Sequence, residues 1–291
     1  MPDAALEATE AQFGRLLRES WPEGTVDLRL VYLPEIARGE AAEARLRKHY
    51  WPVDELLASS SDALIVTGLE PGLRPLAEEP YWPRLVQLME WAERRTRSSL
   101  WSSLAAHAAV LHLDGVQRRR LPAKCFGVFD HLIAADHPLV SGIVQPFRMP
   151  HSRWNALPLS ELRDAGYQVL STSVETGADL FVRQRESLFV FLQGHPEYES
   201  TTLLKEYRRD IGRFLRGLQP QYPGAPQGYF APDTAELLNR FQARAERERD
   251  PGLLDCFPFT ELEEHIQTTW RAGARCLFRN WLALATRVSK R

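Results

Sequence analysis

The chain has 291 residues, 44% of them hydrophobic and 25% charged, with Lys+Arg 36 against Asp+Glu 38 for a formal net charge of −2. That is the composition of a folded globular protein with enough chain for a sizeable core, and it excludes a disordered polymer. The near-neutral balance leaves no global basic field for gripping nucleic acid.

Cys125, Cys256 and Cys276 lie far apart without a CxxC, which argues against a disulfide framework or a zinc site and for a reducing compartment. The opening MPDAALEATEAQFGRLL is acidic where a leader peptide is basic and apolar, and no apolar run approaches the roughly 20 residues that span a bilayer. The expectation is a cytoplasmic protein with neither a membrane nor a nucleic acid as partner.

In chain order, Leu6, Phe13, Leu16 and Leu17 at helical spacing predict an amphipathic helix over Ala5–Arg18. Val26–Leu33 (VDLRLVYL) is a strand candidate, and Ala63–Thr67 (ALIVT), closed by Gly68, suits a buried parallel strand. A helix is expected over Trp82–Arg95, then a short run, Ser98–Trp101, leading into the Ala-rich stretch Leu104–Leu113. This alternation argues for an α/β layer with a mostly parallel sheet and flanking helices. The middle third reads as short β segments near Phe126–Phe129, Gly142–Phe147, Gln168–Ser173, Asp179–Val182 and Leu188–Leu192. Helix returns at Ser200–Leu215, followed by a Pro/Gly/Gln-rich loop at Gln219–Pro232, a charged helix at Thr234–Asp250 and a last helix carrying Trp270, Phe278 and Trp281. No linker interrupts the chain, which reads as one domain over residues 1–291.

The sharpest local feature is LWSSLAAHAA, Leu100–Ala109. Ser102 and Ser103 stand between a predicted strand end and a helix start, where a nucleophile would be exposed beside backbone N–H groups able to hold an oxyanion. The competing reading is a serine that only caps the helix. QGHPEY, Gln193–Tyr198, supplies a base: His195 follows the strand LFVFL, with Glu197 close enough to orient its ring. A serine needs such a base because its hydroxyl barely ionises at neutral pH. The alternative is a histidine satisfied by a loop carbonyl. PHSR (Pro150–Arg153), EYRRD (Glu206–Asp210), Lys124 and the Arg118–Arg120 run are polar segments that ordinarily face solvent, although Arg208 or Arg209 could clamp a carboxylate.

Together and in this order, these segments resemble the amidotransferase-like branch of the homoserine O-succinyl/acetyltransferase family of methionine biosynthesis. The matching pieces are DALIVTG (Asp62–Gly68), YWP (Tyr81–Pro83), SSLWSSLAAHAA (Ser98–Ala109), KCFGVF (Lys124–Phe129), PHSR, GHPEY, EYRRD and TWRAGARCLFRNWL (Thr269–Leu282). The resemblance implies a class I glutamine amidotransferase-like fold, flavodoxin-like in its mostly parallel sheet. It also implies a ping-pong reaction in which acyl-CoA, a substrate and not a resident cofactor, acylates the nucleophile before the acyl group passes to homoserine. His195 and Glu197 match the family's catalytic pair. Lys124 and Ser152 match acyl-chain or substrate-binding residues, and Arg209 the residue holding the homoserine carboxylate. Gly72 aligns with a position where glycine goes with succinyl and glutamate with acetyl transfer. No metal is implied, and a homodimer only by family habit.

The chain departs from the family pattern in three places. Ser103 stands where the family has a cysteine. Met1-Pro2 aligns with the end of an LMP motif that closes a first strand, so that strand is either absent or encoded upstream. About 30 residues around 234–260 look inserted. The leading expectation is succinyl transfer to homoserine or a related amino alcohol through Ser103, with an acetyl donor or a serine-like acceptor as variants. The rivals are a catalytically impaired or regulatory paralogue and a glutaminase subunit.

Overall fold

A computed structural model describes residues 3–69 and 74–286. The spacing of Leu6, Phe13, Leu16 and Leu17 builds α1 (Leu6–Ser20), and all four side chains are buried. Of the strand expected over Val26–Leu33, only β1 (Val31–Tyr32) forms. It pairs in parallel with β2 (Trp51–Pro52) across α2 (Glu40–His49). The chain continues through α3 (Val53–Leu57), β3 (Ala63–Val66), α4 (Trp82–Arg95), β4 (Ser98–Ser102) and α5 (Leu104–Asp114). The middle third holds β5 (Arg119–Ile133), β6 (Phe147–Ala156), α6 (Leu159–Asp164), β7 (Gln168–Val169), β8 (Ser171–Ser173), β9 (Gly177–Ala178), β10 (Leu180–Gln184) and β11 (Leu188–Leu192). Helices α7 (Thr202–Leu215), α8 (Ala235–Glu248), α9 (Phe259–Glu264) and α10 (Arg271–Thr286) complete it.

The central sheet runs β3-β4-β11-β10-β7; β3, β4 and β11 are parallel, while β10 and β7 join antiparallel. Its inner strands are apolar on both faces because both faces are covered. Trp101, Phe189 and Phe191 pack toward Met89 and Ala92 of α4 and the alanines of α5. Their neighbours Leu100, Val190 and Leu192 point the other way, onto Phe13 of α1 and Phe278 and Trp281 of α10.

The β segments of the middle third form a second, antiparallel sheet, β6-β5-β8-β9. Two expectations change here. The strand placed at Gly142–Phe147 begins only at Phe147 and runs to Ala156. Gln168–Ser173 divides between the two sheets, pivoting at the buried Leu170, whose N–H bonds Leu180 O. A third apolar cluster joins Phe126 and Val128 of β5 to α7, α8 and α9 through Tyr207, Phe241 and Phe257.

Among the described residues, no strand pairs with the outer edge of β3. A cavity of about 580 Å³ separates that edge from residues 25–33, lined also by Leu6 and Phe13. Leu64, Ile65 and Val66 therefore form an apolar sheet edge with no charge or proline to guard it. No helix among the described residues is long and apolar enough to cross a membrane.

Candidate active site

β4 and β11 are adjacent and parallel, with Ser102 opposite Leu192, so the residues that follow each strand emerge side by side. Ser103 is the turn from β4 into α5, and its N–H donates to Leu192 O at 2.8 Å. Its backbone sits at φ 56°, ψ −120°, a left-handed conformation that costs a residue with a Cβ. Ser103 occupies the N-cap position, yet its side chain makes no capping hydrogen bond. The helix-cap reading is thereby removed, and the hydroxyl is left at the mouth of the turn. Ser102, inside the strand, is buried. At the start of α5, Gly68 lies so close that a Cβ there would stand 2.7 Å from Leu104 N. The first N–H groups of α5, unpaired by helix geometry, face that turn.

From β11 the chain passes through Gln193 and Gly194 to His195. The His195 N–H donates to Pro150 O at 2.8 Å, and Nδ1 meets Glu197 Oε1 at 2.8 Å. The ring stacks on Tyr198, centroids 4.3 Å apart. Burial opposes charging the imidazole, but the charge and hydrogen bond of Glu197, with Glu206 and Asp179 farther off, outweigh it, and the His195 pKa rises above its ordinary value. Among the described residues, no hydrogen bond yet joins Ser103 to His195; such contacts commonly tighten only once substrate is bound.

Lys124, Ser152 and Arg209 do converge, and they do so around two carboxylates on one face of α7. Lys124 Nζ lies 2.7 Å from Asp210 Oδ2 and 3.9 Å from Glu206 Oε2, over the ring of Phe126. Ser152, opposite Phe126 in the β5–β6 ladder, donates its hydroxyl to Glu206. Tyr198 OH donates to the other Glu206 oxygen at 2.6 Å, and Arg209 Nε donates to Asp210 Oδ1 at 2.9 Å. Burial would raise the Asp210 pKa, but Lys124 and Arg209 hold it below the usual carboxylate range. The sequence reading named the EYRRD segment without assigning Glu206 or Asp210 a part. The signal was present in their i,i+4 spacing, which places both on one helix face with Arg209. Arg208 turns away to Leu254 O, and Arg119 and Arg120 are engaged by Glu161 and Trp154. Gly72 lies outside the described residues.

Among the described residues, one group has metal-ligand composition: His131, His151 and Asp179, all buried, with ligand atoms within 4.8 Å of one another. Its chemistry does not suit a cation. Arg153 Nε donates to His151 Nδ1 at 3.2 Å, which leaves the proton on Nε2, the nitrogen facing Asp179. Both ring nitrogens of His131 are taken by Phe129 O and Thr176 Oγ1. A buried guanidinium beside the group adds repulsion.

The profile of the homoserine O-succinyltransferase family matches residues 1–289. The chain belongs to that family. It is 47% identical to a homoserine O-succinyltransferase of Rhodopseudomonas palustris over 97% of this chain and 85% of that protein, and 44% identical to one of Bradyrhizobium japonicum over 97% and 86%. Among solved structures, a glutamine amido transferase from Methylobacillus flagellatus superposes with a TM-score of 0.50 at 12% identity, covering 91% of this chain and 98% of that one. That likeness is one of fold, the class I amidotransferase-like arrangement expected from the sequence. Within this family member, the strand–turn–helix at Ser103 and the strand end at His195 meet at the carboxyl edge of the parallel strands. In open α/β sheets, that edge is where binding crevices form.

Proposed function

We propose that this protein transfers a succinyl group from succinyl-CoA to the hydroxyl of L-homoserine through an ester on Ser103. The observation that carries the reading is the strained Ser103 turn, its hydroxyl uncommitted, emerging beside the hydrogen-bonded His195–Glu197 pair. His195 Nε2 takes the Ser103 proton while Oγ attacks the thioester carbonyl. The oxyanion forms toward the first N–H groups of α5, the C–S bond breaks, and the CoA thiolate leaves with the proton from His195. In the second half, His195 takes the homoserine hydroxyl proton, the alkoxide attacks the ester, and Ser103 departs reprotonated. Glu197 holds the ring and balances its transient charge.

Homoserine is a zwitterion, and the α7 face offers both signs: the Arg209 guanidinium for its carboxylate and Glu206 for its ammonium. Ser152 and Tyr198 orient Glu206. Lys124, held by Asp210, is the cation for the distal succinyl carboxylate, and Gly72 is the residue that the family resemblance links to succinyl transfer. The whole chain serves as one acyltransferase domain, in which the inserted helices near 234–260 buttress α7.

Incubation with succinyl-CoA, digestion and peptide mass spectrometry tests this reading. A succinyl adduct is expected on the peptide containing Ser102 and Ser103, absent from Ser103→Ala and discharged by homoserine. Wild-type CoA release by Ser103→Ala would refute the seryl ester. Absence of both adduct and turnover would point to the impaired or regulatory paralogue instead.

A further inference from the structure

We infer that Asp179, a buried carboxylate at the start of β10 with no part in the reaction above, is a positioning residue that fixes the backbone turn carrying His195. Asp179 is fully buried. Its Oδ1 accepts the Gly194 N–H at 2.7 Å, one residue before His195, and its backbone oxygen accepts the Gln193 N–H at 3.2 Å. The turn is thus held at three consecutive amides, by Asp179 twice and by Pro150 O at His195. Gly194 is wedged into this clamp: a Cβ would meet Met149 at 2.3 Å, Pro150 O at 2.9 Å and Asp179 Oδ1 at 3.0 Å.

A buried Arg153–His151 pair lies behind the carboxylate. Buried Arg153 donates Nε–H to His151 Nδ1, and its other nitrogens donate to Asn155 O and Thr176 O. His151 therefore directs its Nε2 proton at Asp179 Oδ1, 3.8 Å away. Arg153, His151 and Asp179 lie in one buried row, the last gap beyond hydrogen-bond distance, that ends on the amide beside the catalytic histidine. A buried polar group is costly unless it is hydrogen-bonded, and here the partner that Asp179 bonds is the turn the reaction depends on. Among the described residues, the charged and titratable groups that face His195 are Glu197, Glu206, Asp179, His151 and Tyr198. Of these side chains, only that of Asp179 bonds the backbone of the His195 turn.

The inference rests on the acyltransferase reading, so its test has one arm that does not depend on turnover. Asp179→Ala removes the Gly194 acceptor, and Asp179→Asn keeps it without the charge. Misplacing a catalytic group by about 1 Å can cost about 10²-fold. Asp179→Ala is expected to slow acylation of Ser103 by succinyl-CoA on that scale with KM little changed, and Asp179→Asn to stay within a few-fold of wild type. In parallel, proton NMR follows the His195 Nδ1–H bonded to Glu197, assigned by its loss in His195→Gln. It should persist in Asp179→Asn and be lost to exchange in Asp179→Ala. If the alanine variant does not fold, Asp179→Val, which refills the volume without an acceptor, makes the same comparison. An intact Nδ1–H signal in the alanine or valine variant would overturn the inference, as would an asparagine variant as damaged as they are. A wild type that releases no CoA would instead refute the acyltransferase reading while leaving the NMR comparison to decide the role of Asp179.

Discussion

The Ser103 turn makes a prediction about stability that is separable from catalysis. At φ 56°, ψ −120°, the residue occupies territory that suits glycine, and holding a Cβ there costs about 1–3 kcal/mol. Ser103→Gly removes that strain but adds about 0.5–1 kcal/mol of chain entropy to the unfolded state relative to alanine. Ser103→Ala loses the same hydroxyl while keeping the strained Cβ, so it is the reference that cancels the lost side-chain oxygen. The glycine protein should therefore be more stable than the alanine protein by up to about 2.5 kcal/mol, and by about 1 kcal/mol for mid-range values of those two quantities. Equilibrium urea unfolding of both variants, with equal slopes to show an unchanged unfolded state, reads it directly. Both variants lose the acyl adduct, so inactivity cannot confuse the comparison. An alanine variant more stable than the glycine variant by about 0.5–1 kcal/mol, the entropy difference alone, would mean that the turn stores no strain, and the argument for a held-open nucleophile would lose its physical basis.

Further expectations concern the base, the substrates and the sheet edge. His195 must be neutral to accept a proton, and its folded pKa is raised by Glu197, so the acid limb of kcat/KM should lie above the ordinary histidine value of about 6.5, activity falling as pH drops through it. Glu197→Gln should move that limb down, His195→Ala should cost about 10²–10⁴-fold in rate, and a wild-type limb below 6.5 would contradict the pairing. Arg209→Lys should raise KM for homoserine more than for succinyl-CoA; equal changes would make Arg209 structural. Gly72→Glu should shift donor preference from succinyl-CoA toward acetyl-CoA, measured as the ratio of kcat/KM values, and an acetyl-preferring wild type would refute the donor assignment. Alternate amides of Ala63–Val66, facing the 580 Å³ cavity, should exchange hydrogen faster than those of Ser98–Ser102; equal protection would show that the β3 edge is covered.

Much of the site was readable where its logic is local. His195 and Glu197 are two residues apart around a proline, so their contact needs little more than one turn. The Ser-Ser pair between an apolar strand and an alanine-rich helix marked the strand-to-helix turn, because a buried parallel strand and a close-packed helix each leave a compositional trace. What no composition could settle was whether Ser103 caps α5 or stands open. That depends on a backbone angle, which the ladder to Leu192 helps to fix.

By itself, the sequence determined the order of helices and central strands, the family, and the side chains that could do the chemistry. Apolar periodicity, turn residues and collinear motifs are all properties of neighbours along the chain. The tertiary structure alone decided the contacts between residues far apart in sequence. Lys124 is neutralised by Asp210, 86 positions away, and Gly194 is gripped by Asp179 across two strands. It also decided that most of Val26–Leu33 would not be strand. That stretch carries strand-forming residues, but a strand forms only where a neighbouring edge meets it, and residues 25–33 face a cavity instead of β3.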